Sequence, residues 1–119
     1  MLNFFLKPNF FILLIFGVSD NYSRIRMDLV VNTLSAKAFF EKKMSVFGGE
    51  QYRPLLHVKD VARAIEVAIM SKKRGIFNLS YKNMRIIDIA KEIQKYFKNT
   101  KIIKTKIKFQ DARNYRVRN

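Results

Sequence analysis

The chain has 119 residues, 49% of them hydrophobic, with eleven Phe, no Cys, one His and a formal net charge of +15. That length favours one compact domain and the apolar content excludes wholesale disorder. The absent cysteines exclude a disulfide framework and a thiolate metal site, and the single His excludes a His-rich zinc site. The charge is uneven: residues 1–70 carry nine basic and six acidic side chains, residues 71–119 fifteen and three. A basic segment of that kind suits nucleic acid, an anionic membrane surface, a phosphorylated ligand or simply a solvated lysine face.

Phe10 to Phe16 is a run of seven apolar residues between Pro8-Asn9 and Gly17. It fits a fully buried strand of a parallel sheet. It also fits the apolar core of a signal peptide, with Lys7 before it and Gly17-Val18-Ser19 after it. It is short for a bilayer span, and the strand is the favoured reading. After a polar loop, Asp28 is placed to cap a helix running through Leu34, Ala38 and Phe39, near residues 28–42. Met44 to Phe47 reads as a strand closing in a Gly48-Gly49 turn. A second extended piece carries Arg53, which Pro54 holds in a stiff extended backbone.

Val58, Val61, Ala62, Ile65, Ala68 and Ile69 recur at the helical period, predicting a helix over 58–71 with Asp60 in its first turn. Lys72-Lys73-Arg74 ends it, and Gly75 to Leu79 reads as the next strand. Ile86, Ile89, Ala90, Ile93 and Phe97 define a further helix over 85–98. From Lys101 to Phe109 the chain alternates, with Ile103, Ile107 and Phe109 on one face and Lys104, Lys106 and Lys108 on the other. That is the pattern of a half-buried strand. The expected fold is α/β, without internal repeats, low-complexity segments or linkers.

Val46-Phe47-Gly48-Gly49, then Arg53, then His57-Val58-Lys59-Asp60-Val61-Ala62, in that order, resemble the C-terminal half of the extended short-chain dehydrogenases/reductases. These are the NAD-dependent nucleotide-sugar epimerases and dehydratases. Phe16-Gly17, the run from Arg24 and Arg26 through Asp28 to Asn32, Gly75 to Leu79, and Asp111 to Tyr115 resemble further pieces. Leu13-Leu14 stands where the family usually has an arginine. The resemblance covers residues 10–118 and implies a single partial domain, 1–119. It would be the substrate-side portion of an extended Rossmann-type fold, with the dinucleotide-binding half absent.

The resemblance also implies a site. Arg53 and Arg113, with Arg116 as the alternate, would grip the diphosphate of a nucleotide-sugar, since guanidinium forks match phosphate oxygens. Asn32 would lie beside the diphosphate. Phe47 would border the base through its backbone, a role weighed equally against core packing. His57 and Asp60 read as helix-start residues rather than catalysts. No catalytic residue, metal ligand or cofactor-binding residue is expected in this chain. None of the five Tyr has Lys four positions later, and the four Gly form no Gly-x-x-Gly-x-x-Gly turn. NAD(P) is implied for the full-length family alone.

The expectation is therefore a cytoplasmic chain, truncated or split and inactive alone, with exposed apolar patches and a complementary Rossmann half or a second copy as partner. The alternative is a non-enzymatic basic domain binding nucleic acid or an anionic surface. Stacking aromatics beside the basic strand would favour it. Only Phe109, on the apolar face, and Tyr115 are available, which disfavours nucleic acid; a membrane partner is likewise not favoured.

Overall fold

The computed structural model describes residues 9–12, 15–17, 21–22, 24–106 and 114–118. Among them run β1 (Asn9–Ile12), β2 (Ile15–Phe16), α1 (Val30–Phe40), β3 (Lys43–Phe47), β4 (Tyr52–His57), α2 (Val58–Met70), β5 (Ile76–Leu79), β6 (Lys82–Arg85), α3 (Ile86–Tyr96) and β7 (Lys101–Thr105). The α/β expectation holds. β1 pairs with β5, β2 with β4 and β3 with β7, all parallel, while β6 runs antiparallel to β4. The apolar run after Pro8 thus supplies strand at both of its described stretches, each hydrogen-bonded in a parallel ladder.

The core lies where α1 and α3 cover β3 and β7. Leu34 and Ala38 from α1, Met44 and Val46 from β3, Leu55 from β4, and Ile86, Ile89, Ala90 and Ile93 from α3 are buried together. The four α3 positions are the ones its periodicity marks, so the helical stripe and the buried face coincide. Buried Thr100 fastens the α3–β7 connection to α1, donating through Oγ1 to the Ala38 carbonyl at 3.2 Å. The Lys101 amide donates to the Lys42 carbonyl at 3.0 Å, giving a further carbonyl beyond the end of α1 a partner.

The helix starts differ from one another. His57 caps α2, its Nδ1 accepting from the Lys59 amide at 3.2 Å, and Asp60 sits in the first turn. Asp28 does not cap α1. Leu29 holds the cap position without a side-chain bond, because Asp28 is taken by the Arg26 guanidinium, whose Nε donates to it at 2.9 Å while a second nitrogen meets the other oxygen. That pairing holds the Asp28 carboxyl down at about 2, the Arg26 hydrogen bond being the main cause.

Three further features could not be read from local pattern alone. Lys82-Asn83-Met84-Arg85 forms β6, a strand its composition does not announce; pairing with β4, from Tyr52 opposite Arg85 to Leu55 opposite Lys82, imposes it. In β7 it is Ile102 that packs against the core, while Ile103 is 38% exposed. The register sets Ile102 beside fully buried Met44, which puts Ile103 on the opposite, outer face. Ile107 and Phe109 lie outside the described residues. Finally, α2 buries only Val61 of its apolar stripe, leaving Ile65 45% and Ile69 79% exposed. Ile76 and Phe77 of β5 are also exposed although they point to opposite faces. Parallel strands ordinarily need cover on both faces, and here neither Ile76 nor Phe77 is buried. Among the described residues, no helix is long and apolar enough to cross a membrane.

Charged side chains brace the junction of β3, β4, α3 and β7. Arg85 holds Asp88 at 2.7 Å and Glu50 at 2.9 Å, and Lys104 reaches Glu50 at 3.1 Å. Lys104 first and Arg85 second pull the Glu50 carboxyl below its ordinary value, and Arg85 does the same to Asp88. Carboxylates with depressed values contribute stability above the unfolded range near pH 4 and lose it as pH falls through their folded values. These are exposed pairs, so salt screens them.

Two outcomes follow. Met44→Ala is expected to cost about 2–5 kcal/mol in urea unfolding, since it empties a sealed position, whereas Ile69→Ala should stay within about 0.5 kcal/mol; equal losses would contradict this assignment of the core. In an NMR pH titration, Arg85→Ala should raise the Asp88 midpoint more than the Glu50 midpoint, because Lys104 remains on Glu50. The reverse order would show the ion pairs to be wrongly drawn.

Candidate functional site

Four residues, Gly48 to Gln51, connect β3 to β4 and place two of the candidate side chains. Gly49 has φ +99°, and a Cβ there would stand 3.1 Å from Cβ of Ile87 and from Cγ1 of Val46. Only glycine meets both demands without strain. Gln51 locks the turn, accepting from the Gly49 amide at 2.8 Å and donating to the Phe47 carbonyl at 3.2 Å. The Gly49 and Gln51 carbonyls in turn accept from the Ile87 and Ile86 amides, at 2.9 and 3.0 Å. Phe47 and Arg53 therefore flank one rigid turn. Phe47 is 50% exposed and stands outside the buried core cluster.

Arg53 is placed otherwise than its stiff strand alone suggests. It is 3% exposed, with Nη1 donating to the Tyr52 carbonyl at 2.8 Å. The Tyr115 ring lies over it, 5.3 Å from Cζ, and Arg116 stacks 3.6 Å from the centroid of the Tyr52 ring. The end of the chain thus brings a second guanidinium, that of Arg116, beside β4. Arg113 lies outside the described residues. Tyr52 and Asn114, whose Oδ1 accepts from the Tyr52 amide at 3.0 Å, complete this corner. Sequence patterning gives no sign of them, because only the return of the chain end onto β4 makes them neighbours.

Asn32 sits at the other end of β4. Its Oδ1 accepts from the Gly17 amide at 3.2 Å and its Nδ2 donates to the Arg26 carbonyl at 3.0 Å. Gly17, just beyond β2, has φ +94°, and a Cβ there would stand 2.5 Å from Nε2 of His57. Asn32, Gly17 and His57 therefore meet at the carboxyl ends of the parallel strands β2 and β4, where open α/β sheets bind ligands. Beside them opens a cleft of about 450 Å³, bordered by Gly17, Asn32, Lys37 and Glu41 among others. Arg53 and His57 are four residues apart on one strand face, about 13 Å, so a ligand touching both ends of β4 must be elongated.

The helix starts do not fit a dinucleotide. A pyrophosphate needs free amides at a helix start reached by a glycine turn. The first amides of α3 are spent on Gly49 and Gln51, the Lys59 amide of α2 on His57, and the start of α1 follows the Asp28 carboxylate. Among the described residues, these amides are therefore not free for a phosphate.

No family model matches the chain, and no curated protein sequence matches it. Solved structures do. The Helicobacter pylori ADP-L-glycero-D-manno-heptose-6-epimerase is 21% identical with a TM-score of 0.69, over 86% of this chain and 33% of its own. The Thermotoga maritima UDP-glucose 4-epimerase, solved with UDP-glucose, is 20% identical with a TM-score of 0.65, over 86% and 33%. The Naegleria fowleri GDP-L-fucose synthetase, solved with NADP, is 18% identical with a TM-score of 0.66, over 90% and 35%. The chain spans about a third of the length of each. It carries a part, about one third, of the Rossmann-type fold of the NAD-dependent epimerases and dehydratases.

Proposed function

We propose that the chain is the nucleotide-sugar-binding, C-terminal portion of an NAD-dependent epimerase or dehydratase, one partial domain that does not turn over substrate alone. The observation that supports this most is the pairing of a matching partial fold with the Gly48–Gln51 turn, which carries Phe47 and Arg53 on its two flanks. Arg53 and Arg113 would hold the diphosphate through charge-assisted forks, with Asn32 toward the far end of β4 and Phe47 at the base. The uncovered faces of α2 and β5 support a missing layer, supplied by a complementary Rossmann body or by a second copy of this chain. A cytoplasmic setting belongs to the same proposal.

Hydrogen bonds to charged groups contribute about 1.5–3 kcal/mol each, so two forks in an unclosed cleft give binding of roughly millimolar strength. Calorimetric titration with UDP-glucose should show that affinity, with no NAD binding and no turnover. Arg53→Ala and Arg113→Ala should each abolish it while the thermal transition persists. Equal binding by wild type and both variants would assign the ligand to general lysine charge instead, and strong NAD binding would contradict the assignment of the helix starts to structure.

A further inference from the structure

This inference rests on the proposed function, because it concerns how the same arginine is reached. Residues 114–118 form no helix or strand, yet four hydrogen bonds tie them to three strands. The Asn114 Oδ1 accepts from the Tyr52 amide of β4 at 3.0 Å, and Nδ2 of Asn78 in β5 donates to the Arg118 carbonyl at 3.0 Å. Asn83 of β6 grips Val117 twice, its Nδ2 donating to the carbonyl at 2.8 Å and its Oδ1 accepting from the amide at 3.0 Å. Val117 is 7% exposed, so the grip also buries a side chain. The segment lays the Tyr115 ring over Arg53, which keeps 3% of its surface open.

A diphosphate must touch the guanidinium nitrogens to be held, and a group covered to that extent has no room beside it. The fastening is made by side-chain amides and not by a continuous ladder, so it can open without unpairing β4 from β6. We infer that residues 114–118 are a strap that shuts Arg53 away from anions and must lift before a diphosphate reaches it. The apparent affinity of the site is then the intrinsic affinity multiplied by the fraction of chains with the strap lifted. The strap also carries Arg116, which leaves the Tyr52 ring when it lifts.

The strap can be tested without a ligand, by mapping phenylglyoxal modification of arginines with peptide mass spectrometry. In the folded wild type Arg53 should react far more slowly than exposed Arg63 of α2. Asn83→Ala removes two of the four bonds and should speed Arg53 modification about tenfold, leaving Arg63 unchanged. Asn114→Ala, which removes one bond, should act in the same direction by less, and keeps the test open if Asn83→Ala does not fold. Affinity for inorganic pyrophosphate should rise by a factor similar to that for modification. Equal Arg53 reactivity in the wild type and both folded variants would overturn the strap, as would wild-type Arg53 reacting as fast as Arg63. Faster modification without any pyrophosphate binding would leave the strap standing and remove support from the nucleotide-sugar reading instead.

Discussion

The backbone carbonyls of Gly49 and Gln51, accepting from the first two amides of α3, are the contact on which the rest of the structure depends. A helix start leaves its first amides without intrahelical partners, and here the turn after β3 supplies them. The same turn is anchored by the Gly48 amide on the Thr105 carbonyl of β7 at 2.9 Å. One four-residue connection thus fixes β3, β4, α3 and β7 relative to one another, and the core closes between them. The first amides of α3 are thereby spent on structure, so under the proposed function side-chain guanidinium groups would hold the phosphate.

Away from this junction the molecule is less well covered. Val61 is the buried residue of α2, while Ile69 and Met70 at its end are each 79% exposed. The helical period of α2 is as regular as that of α3, so the difference lies in what each helix has to pack against. α3 meets α1, β3 and β7, whereas α2 meets β2 and β4 and leaves its later turns exposed. Under the proposed function, these exposed faces are the ones a complementary body would cover.

How far the sequence speaks follows the same division. The stripe of α3, the strand before the double glycine and the helix after His57 could all be read, because local periodicity and tertiary packing agree there. β6 could not, since Lys82 to Arg85 become a strand only by lying against β4. The Arg26–Asp28 pair took the residue that composition offers as a cap, a competition between two good partners that spacing alone does not decide. At the candidate site, Arg53 and Phe47 were legible from the turn that separates them. The burial of Arg53 was not, because β4 lies between β2 and β6 and Tyr115, more than sixty residues later, returns over it. Long-range contacts of that kind leave no local pattern.

Backbone amide hydrogen exchange tests the central claim most directly, because it reads the turn-to-helix contact residue by residue. The Ile86 and Ile87 amides, ordinarily among the quickest in a helix, should exchange as slowly as those of Met44 and Val46 in the core. Gly49→Ala, which forces a Cβ against Ile87 and Val46, should release Ile86, Ile87 and the Gly48 amide together while Val61 in α2 keeps its rate. Ile86 and Ile87 exchanging at the rate of an exposed helix start in the unaltered chain would contradict the account.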